Sequence, residues 1–148
     1  MPQTYTRLLY HVVFSTKSRE SWLEPAWRPE LYELIGGVVR NRKGEMLAIG
    51  GVSDHVHLLL RSPATRSLSD VVRDVKANSS GWLHDRGVFP FDWQDGYGAF
   101  MLGLSAIRGV STYIENQEAH HARASFADEM RAMLLASDAT EDELRDWG

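Results

Sequence analysis

The segment Asp54-His55-Val56-His57-Leu58-Leu59-Leu60 constrains the fold most. Residues two apart on a strand share a face. As a strand, this run sends Val56, Leu58 and Leu60 one way and His55, His57, Leu59 and Arg61 the other. The wholly apolar side demands cover, which predicts a sheet with helices on that face. Both imidazoles then share the opposite face, expected to be open. A second run alternates in the same way: Leu8, Tyr10, Val12 and Phe14 against Leu9, His11, Val13 and Ser15. His11 falls on the expected open face.

Helices are expected between these strands. Trp27, Leu31, Leu34, Ile35, Val38 and Val39 form a stripe over residues 27–42, with Pro29 near its start and Gly44 past its end. Residues 45–52 and 55–61 read as two strands, with Ser53 and Asp54 as the turn pair between them. A second stripe, Leu68, Val71, Val72, Val75, Trp82 and Leu83, spans 67–86 before Gly87. Residues 97–104 read as a fourth strand, weakened by Gly98 and Gly103. Ser105 can cap a third helix reaching about residue 121. Ser125 can cap a fourth, with Phe126, Met130, Met133 and Leu134 on one face. This order predicts an α+β, ferredoxin-like sandwich: an antiparallel sheet with helices on one face.

At 148 residues the chain is expected to form one domain over 1–148, with an acidic tail at 137–148 that can fray. No apolar run is long enough for a membrane span, and no secretory signal pattern opens the chain. Cysteine is absent, which excludes disulfides, thiolate metal sites and cysteine nucleophiles and suits a cytoplasmic setting. The net charge of −4 argues at first against nucleic acid. After Gln117, however, eight acids face three bases, so the body before it is close to neutral and can carry a local basic groove.

Two clusters carry chemistry. His55 and His57 stand side by side on rigid backbone, a placement suited to metal binding. Two neighbouring surface histidines are the plainer reading. Tyr113 and Gln117 lie four apart on the third helix and share a face beside the stripe Ile107, Val110 and Ile114. Alone, Tyr113 reads as a half-buried anchor of the helix. Taken together, a phenol can attack a phosphodiester while a divalent ion, Mg²⁺ or Mn²⁺, polarises the phosphate. Two imidazoles and an amide oxygen leave room on such an ion for phosphate and water.

Five blocks in order carry a resemblance: 10–17, 54–59, 76–83, 93–100, and Tyr113-Ile114-Glu115-Asn116-Gln117 with His120-His121. They resemble the single-tyrosine HUH transposases of IS-two-hundred-like insertion sequences, to which REP-associated tyrosine transposases are close. The resemblance covers nearly the whole chain. It implies the HUH nuclease fold, the two histidines at His55 and His57, the nucleophile at Tyr113 and a third metal ligand at Gln117. It also implies a homodimer, with active sites shared between chains, acting on single-stranded DNA with hairpins in a bacterial or archaeal cell. Two other readings stand beside it: a domesticated module that binds DNA hairpins without cutting, and a relative of HUH replication initiators or relaxases.

DNA contacts are expected from Lys17, Arg19, Arg61, Arg73, Lys76 and Arg108 through phosphate neutralisation. Trp93 can stack on a base or close the core. His11 is read as lining the site or meeting DNA. His120 and His121 are expected to be exposed near a helix C-terminus, and Asp54 to serve the turn rather than to orient an imidazole.

Overall fold

The computed structural model describes residues 3–122 and 124–146. Its elements are β1 (Leu8–Ser15), α1 (Arg28–Asn41), β2 (Glu45–Gly51), β3 (His55–Ser62), α2 (Leu68–Asp85), β4 (Gly98–Met101), α3 (Ile107–Glu115), α4 (Gln117–His121), α5 (Phe126–Ala136) and α6 (Glu141–Asp146). Residues 147 and 148 of the expected acidic tail lie outside the described residues. The strands form one sheet in the order β2-β3-β1-β4, with every pairing antiparallel. This is the ferredoxin-like α+β sandwich predicted from the alternation. None of the described helices is long and apolar enough to cross a membrane.

One face behaves as the pattern requires. Val12 and Phe14 of β1 and Val56, Leu58 and Leu60 of β3 are buried with Leu31, Ile35, Val38 and Val39 of α1. Val71, Val72, Val75 and Leu83 of α2 complete that layer. Each such side chain contributes roughly 1.5–3 kcal/mol relative to exposure. Ser67 caps α2 by accepting from the Asp70 amide at 3.1 Å.

The other face, expected to be open, is covered. Val13 packs with Phe126 and Met130 of α5, flanked by Phe100 and Met133. Ala48 and Leu59 pack with Ile114 of α3, beside Ile107, Val110 and Tyr113. The reason is in the strands themselves. Val13, Ala48 and Leu59 share the face with the histidines and need cover of their own, which the C-terminal helices supply. In consequence His55 and His57 are both 0% exposed.

The single third helix expected over 105–121 is divided. A 3-10 turn covers Leu104–Ala106, α3 ends at Glu115, and Asn116 leaves helical geometry at φ −99°, ψ 23° before α4 begins. This break turns Gln117 inward, where it is 1% exposed.

α3 lies so close to β2 that a Cβ on Gly50 would stand 2.1 Å from the backbone oxygen of Ile114. Backbone cannot step aside as a flexible side chain can. Gly50→Ala is therefore expected to cost about 1–3 kcal/mol in denaturant unfolding through overpacking. Gly109, inside α3 with open space around it, provides the control. Gly109→Ala should be neutral or stabilising by up to about 1 kcal/mol. Equal effects at both positions would contradict the close approach of α3.

Candidate active site

Five elements converge on the second face of the sheet. β3 supplies His55 and His57, and β1 brings His11. α3 and α4 carry Tyr113, Gln117, His120 and His121, and α5 supplies Glu129. The carboxylate of Glu129 is central. Its Oε1 lies 3.2 Å from His55 Nε2, 2.8 Å from His57 Nε2 and 3.1 Å from His121 Nε2. Its Oε2 accepts a hydrogen bond from the Tyr113 hydroxyl. The nucleophile candidate and the paired histidines thus meet on the two oxygens of one side chain.

Each imidazole is also held from behind. His55 Nδ1 is 2.7 Å from Asp54 Oδ1, His57 Nδ1 is 2.7 Å from His11 Nε2, and His121 Nδ1 is 2.6 Å from the Ala124 carbonyl oxygen. All three rings therefore turn Nε2 towards the same point. Gln117 bridges the site to α3. Its amide oxygen lies 3.3 Å from His55 Nε2, and its NH2 donates to the Tyr113 carbonyl at 3.3 Å. Tyr113 is half-buried and reaches solvent through a groove shared with Asn116, Ala119 and His120.

The electrostatics follow from burial against contact. Burial alone would raise the Glu129 carboxyl, but hydrogen bonds from His55, His57 and Tyr113 and the charge of His57 outweigh it and hold the group far below the usual carboxylate range. Burial alone would lower His55, but Asp54 and Glu129 reverse that and favour its charged form. His57 is lowered, chiefly by burial. His11 falls to about 4, through burial first and then the charge of His57. Tyr113 is pushed up by burial and by the adjoining negative Glu129.

These positions revise several expectations. His120 and His121 lie in the last turn of α4, as expected, but they are not freely exposed. The His121 side chain is 9% exposed and part of the cluster, and His120 Nε2 lies 3.3 Å from Glu129 Oε2. Asp54 lies at the turn and also binds His55. His11 is 8% exposed and engaged with His57, so it lines the site rather than meeting DNA from the surface. Trp93 is buried among Phe14 and Phe91, with its indole N–H donated to Ser79 Oγ at 2.9 Å. It closes the core and offers no face to a base.

The expected phosphate contacts are dispersed. Lys17, Arg19 and Arg108 are exposed, and the Arg19 guanidinium sits 5.6 Å from the Phe126 ring beside the site. Arg61 pairs with Glu45, and Arg73 with Asp70. Lys76 donates to the carbonyls of Gln94 and Gly96. Arg73 and Lys76 line a cavity beside α2, in the layer away from the histidines.

Glu129 escaped the sequence reading, although its signal was present. Phe126, Glu129, Met130 and Met133 are spaced three, four and seven apart, which puts the carboxylate on the buried stripe. The donor atoms of His55, His57, His121 and Glu129 lie within 4.8 Å of one another, a set able to hold a metal ion.

Glu129→Gln should cost about 3 kcal/mol of stability at pH 7, because it removes the carboxylate that His55, His57 and His121 share in the interior and leaves His55 only Asp54 as a charged partner. The wild-type dependence on acid has a definite sign. The unfolded chain takes up the proton near the ordinary value of 4.5, whereas the folded chain resists it. This stabilisation is present above that pH and is lost as pH falls below it. Denaturant unfolding between pH 3 and 7 should show a steeper acid loss in wild type than in Glu129→Gln. Parallel curves would contradict the central role of this carboxylate.

Comparisons with known proteins bear on the fold and the family. A crystal structure of a candidate transposase from Deinococcus radiodurans superposes with a TM-score of 0.62 at 22% identity, covering 79% of this chain and 96% of that one. A REP-associated tyrosine transposase bound to a REP hairpin superposes with a TM-score of 0.63 at 20% identity, covering 84% of this chain and 74% of that one. At these identities the two share a fold with the present chain. No curated protein matches the chain. Residues 4–117 match the family described as transposase, IS200-like, a span that includes His55, His57, Tyr113 and Gln117. The chain belongs to the IS200-like transposase family.

Proposed function

We propose that this transposase nicks and rejoins single-stranded DNA at hairpin-bearing ends, using Tyr113 as the nucleophile and His55 and His57 as metal ligands. The observation that supports this reading best is the shared carboxylate, with Tyr113 on one oxygen of Glu129 and the histidines on the other. In the cleavage step the Tyr113 oxygen forms a bond to the scissile phosphorus and the bond from phosphorus to the 3′ oxygen breaks. The products are a 5′-phosphotyrosine and, after protonation, a free 3′-hydroxyl. The phenolic proton has an acceptor already in contact, Glu129 Oε2. A second 3′-hydroxyl can reverse the linkage and join a new strand, so no nucleotide cofactor is needed.

The donor set fits a divalent metal. Among the protein groups, His55 and His57 would hold it, with Gln117, His121 and Glu129 as the remaining donors in reach. An imidazole-rich set favours Mn²⁺ over Mg²⁺, which prefers oxygen and water. Bound there, the ion would polarise the scissile phosphate and offset the charge of Glu129 that now disfavours a phenolate. The hairpin-bound relative supports the choice of substrate. A cytoplasmic homodimer is part of the same reading. In the single chain Tyr113 stands beside its own histidines, with ring centroids of Tyr113 and His57 5.7 Å apart.

With Mn²⁺ and hairpin DNA from the flanks of its own gene, the protein should form a covalent adduct. Tyr113→Phe should reduce the adduct below detection while changing DNA affinity by less than about threefold, as it removes only the hydroxyl. An adduct of normal yield from the Phe variant would exclude Tyr113. His55→Ala and His57→Ala should each stop cleavage. Because both rings are buried, both variants should also lose stability. Mixing His57→Ala with Tyr113→Phe chains tests for sites shared across a dimer, since only shared sites restore cleavage.

A further inference from the structure

The three imidazoles around Glu129 have different supports behind them. Asp54 Oδ1 and the Ala124 carbonyl are acceptors only, so each fixes a proton on the Nδ1 it faces. The support behind His57 is another imidazole, and His11 Nε2 can donate or accept. The two rings are diagonal neighbours on one face: His11 pairs with Leu59 across the ladder, and His57 with Val13. His11 is confined by Phe100, Tyr113 and His57, with ring centroids 6.4, 6.1 and 5.0 Å away. Its ring has little freedom to turn away.

We propose that His11 is a positioning residue that lets His57 exchange one tautomer for the other, so that His57 Nε2 can leave Glu129 and bind a divalent cation. This rests on the reading of His57 as a metal ligand. In the structure His57 Nε2 lies 2.8 Å from a carboxylate oxygen, which places a proton on Nε2. Its Nδ1 is then a lone pair and accepts from His11 Nε2–H. Ligation needs the lone pair on Nε2 instead. The neutral ring must then carry its proton on Nδ1, and that N–H needs an acceptor.

His11 can supply one. With its own proton on Nδ1, His11 Nε2 offers a lone pair to His57 Nδ1–H across the same 2.7 Å contact. Each ring carries one proton before and after, so the exchange needs no net gain or loss of protons. Without His11, a buried N–H would face carbon while Glu129 continued to hold the proton on Nε2. Both effects oppose ligation.

The test is Mn²⁺ affinity, measured by electron paramagnetic resonance titration of the full-length protein without DNA. His11→Phe should weaken binding about 10–100-fold. His11→Gln, whose amide oxygen can accept from His57 Nδ1–H, should recover affinity to within a few-fold of wild type. Normal Mn²⁺ affinity in His11→Phe would overturn the proposal, and so would equal losses in the Phe and Gln variants. His57→Ala separates the two levels. If it binds Mn²⁺ as tightly as wild type, His57 is not a ligand and both readings fall. A measurement on the unmutated chain guards against misfolded variants. Two-bond proton–nitrogen NMR spectra with Zn²⁺ as a diamagnetic probe should show His57 protonated on Nδ1 and His11 unprotonated on Nε2. A proton remaining on His11 Nε2 in the loaded protein would overturn the proposal.

Discussion

The sheet can bury two histidines because a carboxylate is buried with them. Leaving a charge uncompensated in a protein interior costs several kcal/mol, and removing one partner of a buried pair exposes that cost. Glu129 is 4% exposed and reaches His55, His57 and His121 through one oxygen. That contact fixes the depth and rotation at which α5 sits on the sheet. Phe126 and Met130 then fall against Val13, and α4 is drawn in through His121. α3 is held separately by Ile114 against Ala48 and Leu59, at a distance that only glycine permits at position 50. The second face of the sheet is therefore closed partly by apolar packing and partly by an ionic centre.

The strand alternation made the sandwich legible, because a face such as Val56, Leu58 and Leu60 has few ways to be buried. The Ser125 cap was legible for the same local reason, a hydroxyl before a periodic stripe that satisfies a free amide, whereas the cap expected at Ser105 is absent, because Ala106 stands at the start of α3 and no side chain caps it. The cover over the histidine face was harder to read. It depends on long-range contacts from α3 and α5, and a strand that mixes His with Leu looks half-solvated in isolation. Glu129 and His121 were obscured by the usual behaviour of charged residues, which are mostly exposed. Only their partners, more than sixty residues away on β3, explain their burial. Trp93 shows the reverse ambiguity: an aromatic in a loop reads as a base platform or as core, and only its neighbours Phe14 and Phe91 make it core.

Membership of the IS200-like transposase family gives these contacts a purpose. The imidazoles stand on β3, which is paired with a strand on both sides. Tyr113 stands on a nine-residue helix reached through a short turn. Under the proposed function such a division is useful, because metal ligands must be preorganised while a nucleophile must accommodate a strand before and after bond formation. Glu129 links the two parts, and its charge sets the cost of a phenolate at Tyr113 and the attraction of the site for a cation.

The central claim is that the histidines, Glu129 and Tyr113 form one metal-dependent centre. Anomalous diffraction from crystals grown with Mn²⁺ tests it most directly. The account predicts a single strong peak bonded to the Nε2 atoms of His55 and His57, with Glu129 or Gln117 beside it and the Tyr113 hydroxyl facing it. A saturated crystal with its Mn²⁺ elsewhere, and with Glu129 still on both imidazoles, would contradict it.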